Sequence, residues 1–102
     1  MRLSENTVLI TGGATGIGFA MAEAFVSAGS KVIICGRREH RLLEARGKRP
    51  ELHTRVCDVA SVSDCRQLLE WVSANFEGLN VLVNNAATHP PASGTAPWIS
   101  TA

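Results

Sequence analysis

Four short apolar runs, rich in β-branched residues, are spread along the chain and predict four β-strands. The first, second and fourth runs are continuously apolar, which is typical of strands buried on both faces of a parallel sheet. The third run is more polar, so we expect that strand to lie nearer an edge of the sheet. The runs cover residues 7–10, 32–35, 54–57 and 81–83.

Amphipathic segments lie between these runs and predict three helices. The first ends before Gly29, at a position where a left-handed residue is favoured. The second covers about 39–47 and ends at Gly47 and Pro50. The third opens with a capping box at 61–64. The residues expected to face the core are Ile17, Ala20, Met21, Ala24, Phe25 and Ala28 in the first helix, Leu42 and Leu43 in the second, and Cys65, Leu68, Leu69, Val72 and Phe76 in the third.

Strands and helices alternate along the chain, which predicts an α/β fold with a parallel sheet, right-handed crossovers and helices on both faces. Beyond Ala87 the sequence THPPASGTAPWISTA is nearly uncharged and rich in Pro, Ala, Ser, Thr and Gly. Such a segment cannot bury enough apolar surface to offset its ordering entropy. We therefore expect one domain over residues 1–87 and a disordered low-complexity tail over 88–102.

The composition indicates one small globular domain, with 102 residues of which 45% are hydrophobic and 19% are charged. A net charge of +1 gives no electrostatic reason to expect nucleic acid or a membrane as a partner. The first six residues lack the apolar core of a signal peptide, and no apolar stretch approaches the ~20 residues of a membrane span. The cysteines, Cys35, Cys57 and Cys65, have no CxxC spacing. We expect reduced thiols in a cytoplasmic protein, no zinc site, and Cys35 and Cys57 in the core.

Residues 11–18, TGGATGIG, form a glycine-rich turn between the first strand and the first helix. A turn at this place directs backbone N–H groups of a helix N-terminus at a ligand and favours phosphates. Gly12 permits the tight turn, while Gly16 and Gly18 allow the backbone to approach a pyrophosphate and the helix to pack on the sheet. The spacing is neither the G-x-G-x-x-G fingerprint nor a Walker A loop. A glycine-rich turn without a ligand is the alternative.

A second cofactor signal follows the second strand, where NAD-binding folds carry an acidic residue that binds the ribose 2′-OH. This chain has Gly36-Arg37-Arg38 there instead. A carboxylate would repel a 2′-phosphate, whereas a guanidinium pairs with it through charge-assisted hydrogen bonds. The site is therefore expected to prefer NADP over NAD, with Arg37 the stronger candidate. Two solvated arginines at a helix start are the alternative.

Three motifs, in this order, resemble those of the classical short-chain dehydrogenases/reductases. They are Thr11-Gly12-x-x-x-Gly16-Ile17-Gly18, Asp58-Val59 after the third strand and Asn84-Asn85-Ala86 after the fourth, and the resemblance covers roughly residues 3–87. Within that family the segments VIICGRR and HTRVCDVAS are most similar to the bacterial DltE-like oxidoreductases. The resemblance implies a truncated Rossmann-type open parallel sheet of four strands, in the order 3-2-1-4, flanked by helices.

The resemblance also implies a role for each matching position. The glycine turn would hold the cofactor pyrophosphate, and Asp58 would accept a hydrogen bond from the adenine amino group beside the Val59 backbone. An exposed strand-end Asp is the alternative for Asp58. Asn85 would face the cofactor ribose, and Asn84 would tie the fourth strand to its neighbours. The expected cofactor-binding residues are Gly12, Ala14, Thr15, Gly16, Ile17, Gly18, Arg37, Arg38, Asp58, Val59, Asn85 and Ala86.

The sequence departs from the family where the family's chemistry takes place. The resemblance implies hydride transfer by a Tyr-x-x-x-Lys pair, a Ser and a further Asn, all well beyond the fourth strand. This chain has no tyrosine, its lysines are Lys31 and Lys48, and Ala87 stands where the family usually has Gly. Its three histidines have no spacing typical of a triad or a metal site, so no catalytic residue is assigned. We expect an NADP-binding amino-terminal fragment, with NAD less favoured, that transfers no hydride unaided.

Two functions of other classes stay open from the sequence. In one, the fragment is a non-catalytic interaction protein that docks on a full-length relative through the fourth strand, whose apolar edge would be exposed. In the other, it is a different nucleotide-binding protein, such as a methyltransferase with a similar sheet. That class also requires an acidic residue after the second strand, and Gly36-Arg37 argues against it.

Overall fold

The structure is a computed structural model that describes residues 6–85. Ala86, Ala87 and the predicted tail over 88–102 lie outside the described residues. All seven expected elements are present in the expected order. They are β1 (Thr7–Thr11), α1 (Gly16–Ser27), β2 (Lys31–Gly36), α2 (Glu39–Lys48), β3 (His53–Val56), α3 (Val62–Asn75) and β4 (Val81–Asn84).

The four strands form one parallel sheet in the order β3-β2-β1-β4, which confirms the predicted topology. The strands are in register at their carboxyl ends, because Thr11 lies between Cys35 of β2 and Asn84 of β4. Cys35 in turn lies beside Arg55 of β3. The loops that leave the four strands therefore start from one edge of the sheet.

Two apolar clusters cover the two faces of the sheet, because successive strand side chains point to opposite faces. Val8 and Ile10 pack with α1 and α2 in the first cluster, whereas Leu9 packs with α3 in the second. Fully burying one large aliphatic side chain stabilises a fold by about 1.5–3 kcal/mol, so these strand residues supply much of the driving force. Cys35 and Cys57 are buried in the second cluster, which confirms them as core residues.

The core-facing stripe predicted for α1 is right for Met21 and Phe25, which pack against the first apolar cluster. It is wrong for Ile17, Ala20 and Ala24, which are exposed. Ile17 is 73% exposed, and the buried residues of the helix are Gly18 and Ala22. Apolar side chains surround this helix almost completely, so its sequence gives little contrast between the two faces. The rotation of α1 is fixed by the close packing of Gly18, described below.

In α2 and α3 the first residue of each leucine pair is buried and the second is not. Leu42 and Leu68 are core residues, whereas Leu43 is 54% and Leu69 is 51% exposed, so both of those predictions are wrong. Neighbouring residues on a helix point about 100° apart, and each helix packs against the sheet along one side only. Ala45 takes the inward position predicted for Leu43.

The end of α2 also differs from the prediction. The helix continues through Gly47 to Lys48, and Arg49 is the first extended residue. Pro50 accounts for this boundary, because a residue that precedes proline is restricted to extended conformations. Gly29, by contrast, has the predicted positive φ, at 96°.

The capping box predicted at the start of α3 forms only in part. Ser61 Oγ accepts a hydrogen bond from the Asp64 backbone N–H at 3.2 Å, as expected of an N-cap. The Asp64 carboxylate does not return to Ser61 but accepts from the Asp58 N–H at 2.9 Å. The N–H of Ser61 donates to the Asp58 carbonyl instead. The two elements β3 and α3 are thereby joined through one tight corner.

Candidate functional site

The carboxyl-terminal edge of the sheet contains a topological switch point. From β1 the chain crosses to β2 on one side, while β4 lies on the other side of β1. In open α/β sheets, ligands bind in the crevice where connections diverge in this way. Every sequence-predicted site residue from 12 to 85 follows one of the four strands at this edge.

The glycine-rich turn that follows β1 is hydrogen-bonded to the end of β2. Gly12 has a φ of 66°, and its N–H donates to the Cys35 carbonyl at 2.9 Å. Gly16 has a φ of 61°, and a Cβ built there would meet open space. Glycine is therefore favoured at this position by the backbone conformation and not by close packing. Thr15 is the extended N-cap of α1. Within residues 6–85 no side chain caps these first amides, and the first turn of α1 contains no acidic residue.

Gly18 is required by close packing rather than by its backbone angle. A Cβ at this position would collide with the Gly12 carbonyl oxygen and would lie 2.7 Å from Asn85 Nδ2. Asn85 Nδ2 donates to the same Gly12 oxygen at 3.5 Å. The first turn of α1, the glycine turn and the end of β4 therefore meet at one point.

The remaining turn residues divide into an inward and an outward set. Ala14 is half-buried and packs against the first apolar cluster. Thr15 and Ile17 are exposed beside the uncapped amides of α1. Their side chains contribute little to the core and are accessible to a ligand at the helix N-terminus.

Thr11 organises the end of β4. Its side chain is buried, with the residue only 2% exposed, and its Oγ1 donates to Asn84 Oδ1 at 2.9 Å. The same oxygen accepts from the Asn85 backbone N–H at 3.0 Å. The expected tie between Asn84 and the neighbouring strand is confirmed, and Asn85 is fixed by the same hydroxyl. Ala86, also predicted as a site residue, lies outside the described residues.

The corner after β3 holds Asp58 and Val59. Asp58 is half-buried, and its Oδ1 accepts from the Ala60 N–H at 2.9 Å. The Val59 side chain is buried, and its carbonyl accepts from Cys65 Sγ at 3.5 Å. With the Asp64 carboxylate on the Asp58 N–H, this corner is fixed by hydrogen bonds at both of its residues.

Two exposed arginines follow the end of β2. Arg37 and Arg38 are exposed, and Arg38 is the N-cap of α2. Within residues 6–85 neither guanidinium has an ion-pair partner. A cation at a helix N-terminus is mildly unfavourable, so this placement does not stabilise α2.

The structure brings the glycine turn and Asn85 into contact. Arg37 and Asp58 follow Gly36 and Cys57, whose backbones are joined by a hydrogen bond of 2.9 Å. Sequence reasoning missed two supporting residues. A Cβ on Gly13 would lie 2.5 Å from Ile34 Cγ2, so this second glycine is required by packing under β2. Asn80 Oδ1 accepts from the Thr7 N–H at 2.9 Å and aligns β4 with β1. The Gly-Gly pair was a visible signal, but the Asn80 contact was not.

The described residues provide neither a metal site nor a membrane span. Between residues 6 and 85, no three His, Cys, Asp or Glu side chains are grouped so that they could hold a metal ion. No helix in this part of the chain has the length and apolar character needed to cross a bilayer. His53, at the start of β3, packs edge-on against Phe76 with ring centroids 5.0 Å apart.

Comparisons with known proteins identify the family of the chain. Residues 6–98 match the family model described as short chain dehydrogenase, so the chain belongs to that family. The match extends beyond residue 87, where we expected the resemblance to end.

Three curated relatives illustrate the range of similar proteins. The uncharacterized oxidoreductase DltE of Bacillus subtilis is 51% identical over 86 residues, which cover 84% of this chain and 34% of that protein. A tropinone reductase homolog of Datura stramonium is 40% identical, with 87% and 35% covered. An L-fucose dehydrogenase of Bos taurus is 37% identical, with 88% and 33% covered. The chain thus spans about a third of the length of these relatives.

Solved structures show the same fold. A short chain dehydrogenase from Bacillus anthracis superposes with a TM-score of 0.79 at 33% identity, covering 85% of this chain and 37% of that one. The Pseudomonas aeruginosa RhlG/NADP active-site complex superposes with a TM-score of 0.77 at 29% identity, covering 85% and 36%. Both confirm the Rossmann-like arrangement of the four strands and three helices.

Proposed function

We propose that this chain is the NADP(H)-binding portion of a short-chain oxidoreductase. The family reaction moves a hydride between a nicotinamide and a carbonyl or alcohol carbon. The observation that carries the proposal is the meeting of Gly12, Gly18 and Asn85 beside the uncapped first turn of α1. Because glycine has no Cβ, the backbone N–H groups at this point can lie directly at the open crevice.

The residues of the glycine turn fit a dinucleotide pyrophosphate. The N-terminus of α1 carries a partial positive charge and unpaired N–H donors, and both favour a phosphate. No acidic side chain of the first turn competes for those donors. Thr15 and Ile17 stand exposed on either side of Gly16, where they can flank the bound group.

Arg37 and Arg38 support a preference for NADP over NAD. Their guanidinium groups have no carboxylate partner within residues 6–85, so a ligand phosphate would gain a charge-assisted pair without breaking an existing one. The related Pseudomonas structure is described as a complex with NADP. We assign the larger contribution to Arg37, because it directly follows the last residue of β2.

Asp58 fits the adenine end of the same ligand. One carboxylate oxygen holds the Ala60 N–H, and the other has no hydrogen-bond partner in the described part of the chain. That second oxygen can accept from the adenine amino group. The corner is rigid because Asp64 and Ser61 anchor the Asp58 backbone.

These residues bind and orient the dinucleotide but do not supply the proton transfer that the family reaction requires. The bound nicotinamide would give or take the hydride. Asn85, held by Thr11, lies at the β4 end, where it can contact the ribose. The sequence contains no tyrosine. We therefore propose that the 102-residue chain binds NADP(H) without turning over a carbonyl substrate by itself.

A fluorescence titration of the chain with NADPH and NADH tests this function, with Arg37→Ala as the decisive variant. Losing one charge-assisted pair costs about 1.5–3 kcal/mol, or roughly 10–100-fold in Kd. We expect that loss for NADPH and little change for NADH. Arg66→Ala, an exposed arginine of α3, is the matched control and is expected to bind as the wild type does. Equal binding of both nucleotides by the wild type would reject the preference.

Association through β4 is a second candidate function. Within residues 6–85, β4 pairs with β1 on one side only, and its apolar residues Val81, Leu82 and Val83 are partly exposed. Such an edge offers a row of backbone donors and acceptors to another chain. Co-purification of the tagged chain with a full-length short-chain dehydrogenase tests this role. A failure to co-purify, with the chain shown to be folded, would reject it.

A further inference from the structure

The three cysteines of the chain form one contiguous thiol cluster under α3. Cys35 and Cys57 are both buried in the second apolar cluster, and Cys65 packs against that cluster from the first turn of α3. All three are free thiols. Nothing in the proposed dinucleotide site requires three sulfurs at this place.

Cys57 and Cys65 stand at the two ends of the loop that carries Asp58 and Val59. The Cys65 thiol donates to the Val59 carbonyl at 3.5 Å, which folds the loop back on itself. The Asp64 carboxylate closes the same loop from the Asp58 N–H at 2.9 Å. These two hydrogen bonds close the loop, so Cys57 and Cys65 stand at its two closed ends within one apolar cluster.

Burial decides which thiol reacts first. Desolvation raises the pKa of Cys35 to about 12, and it raises that of Cys57 to about 11, with the neighbouring sulfurs adding to both shifts. Both groups are thus protonated at neutral pH and shielded from reagents. Cys65 alone of the three is partly exposed. A reagent must enter at Cys65, and Cys57 is the thiol positioned to follow.

We propose that Cys57 and Cys65 are a redox-active dithiol that a low-molecular-weight disulfide, such as oxidised glutathione, converts to an intrachain disulfide. The Cys65 thiolate attacks one sulfur of oxidised glutathione, forms a mixed disulfide and releases one glutathione. The Cys57 sulfur then attacks the Cys65 sulfur, and its proton passes to the second departing glutathione. Two protein thiols are oxidised to one disulfide, and one glutathione disulfide is reduced to two thiols.

The disulfide would alter the corner of Asp58 and Val59, which we call the adenine corner because the proposed function places the adenine of the cofactor there. This consequence rests on the proposed function. A disulfide holds its sulfurs at about 2.05 Å, closer than two unbonded thiols can approach. Closing that gap pulls the start of α3 toward the end of β3 and removes the S–H donor from the Val59 carbonyl. We therefore expect the oxidised chain to bind NADPH more weakly than the reduced chain.

Peptide mapping of the native chain after treatment with oxidised glutathione tests the dithiol directly. Tryptic cleavage after Arg55 and Arg66 places both cysteines in one peptide, 56–66, while Cys35 falls in the separate peptide 32–37. After thiols are blocked with an alkylating agent, we expect peptide 56–66 to be unalkylated and lighter by two hydrogen atoms. A lasting glutathione adduct on Cys65, or a cross-link between the two peptides, would overturn the pairing.

Two variants show which of the three cysteines take part in the disulfide. Cys35→Ala is expected to keep the linkage within 56–66, and Cys65→Ser is expected to abolish it without a change of fold, because Cys65 is only partly buried. A linkage that persists in another form in Cys65→Ser would also contradict the proposal.

The effect on the cofactor is measured separately, as the Kd of NADPH for the reduced and the oxidised chain. A rise of about tenfold on oxidation, or about 1.4 kcal/mol, absent in Cys65→Ser, is expected. Unchanged affinity would reject the link to the adenine corner. If the reduced chain itself fails to bind NADPH, the proposed function fails, whereas the peptide result still decides on the dithiol.

Discussion

Two small residues determine how the edge of the sheet is built. Gly18 allows α1 to approach the Gly12 carbonyl and Asn85 within a distance that no Cβ would permit. Thr11 uses one hydroxyl to hold Asn84 and Asn85 at the end of β4. Neither contact involves a charge, yet together they determine where the backbone N–H groups and the Asn85 side chain stand in the crevice.

Replacing Gly18 by alanine is expected to destabilise the chain and weaken NADPH binding together. The new methyl group meets a backbone carbonyl, which cannot rotate away, and overpacking of this kind costs about 1–3 kcal/mol. Urea unfolding with and without NADPH measures both effects.

Gly47→Ala is the matched control for this substitution. Gly47 lies inside α2 with open space around a built Cβ, so alanine there is expected to stabilise the chain by about 0.5–1 kcal/mol. If Gly18→Ala were as stable as the wild type, the close packing described here would be wrong.

Thr11→Val removes the hydroxyl while it keeps the shape of the side chain. Asn84 Oδ1 and the Asn85 N–H, both half-buried, then lose their partner at the buried Thr11 side chain, which costs about 1–3 kcal/mol. The free energy of unfolding in urea checks this value. Thr54→Val on the edge strand β3 is the control, because no hydrogen bond joins the Thr54 side chain to the rest of residues 6–85. Equal effects of the two substitutions would contradict the role of Thr11.

At the scale of the elements, the sequence predicted which segments are helical better than which faces they bury. The apolar period located α1 and the inward side chains of Met21 and Phe25, but it placed Ile17 inward, whereas the structure buries Gly18. Gly18 takes the inward position because only a residue without a side chain fits against the Gly12 carbonyl and Asn85. For the leucine pairs in α2 and α3, the pattern could not say which of two adjacent apolar residues faces the sheet.

The N-cap of α3 can be tested by substitution of Ser61. Ser61→Ala removes the side-chain acceptor of the Asp64 N–H, and loss of such a cap costs about 1 kcal/mol. The same change loosens the Asp58 corner, so the NADPH affinity is expected to fall as well. Ser73→Ala, at an exposed position inside α3, is expected to be neutral or slightly stabilising in the same urea unfolding measurement. A neutral Ser61→Ala would show that the cap does not support the corner.

At the scale of the whole molecule, strand order and the place of the site followed from the sequence, since four apolar runs separated by helices admit few parallel arrangements. The contacts between the strand ends did not follow. The Asn80 amide aligns β4 with β1 across 73 residues of sequence, and no local pattern indicates such a pairing. The thiol cluster was equally hidden, because Cys35, Cys57 and Cys65 come together only when β2, β3 and α3 are packed.

The dinucleotide site at the strand ends is tested most directly by a thermal melt of the reduced chain. The melt is followed by far-UV circular dichroism without nucleotide, with NADPH and with NADH. A nucleotide at a hundredfold excess over its Kd stabilises the folded state by about 2.7 kcal/mol. We expect a cooperative transition whose midpoint rises with NADPH and rises less with NADH at the same concentration. A transition that neither nucleotide moves would show that the assembled strand ends do not form a dinucleotide site.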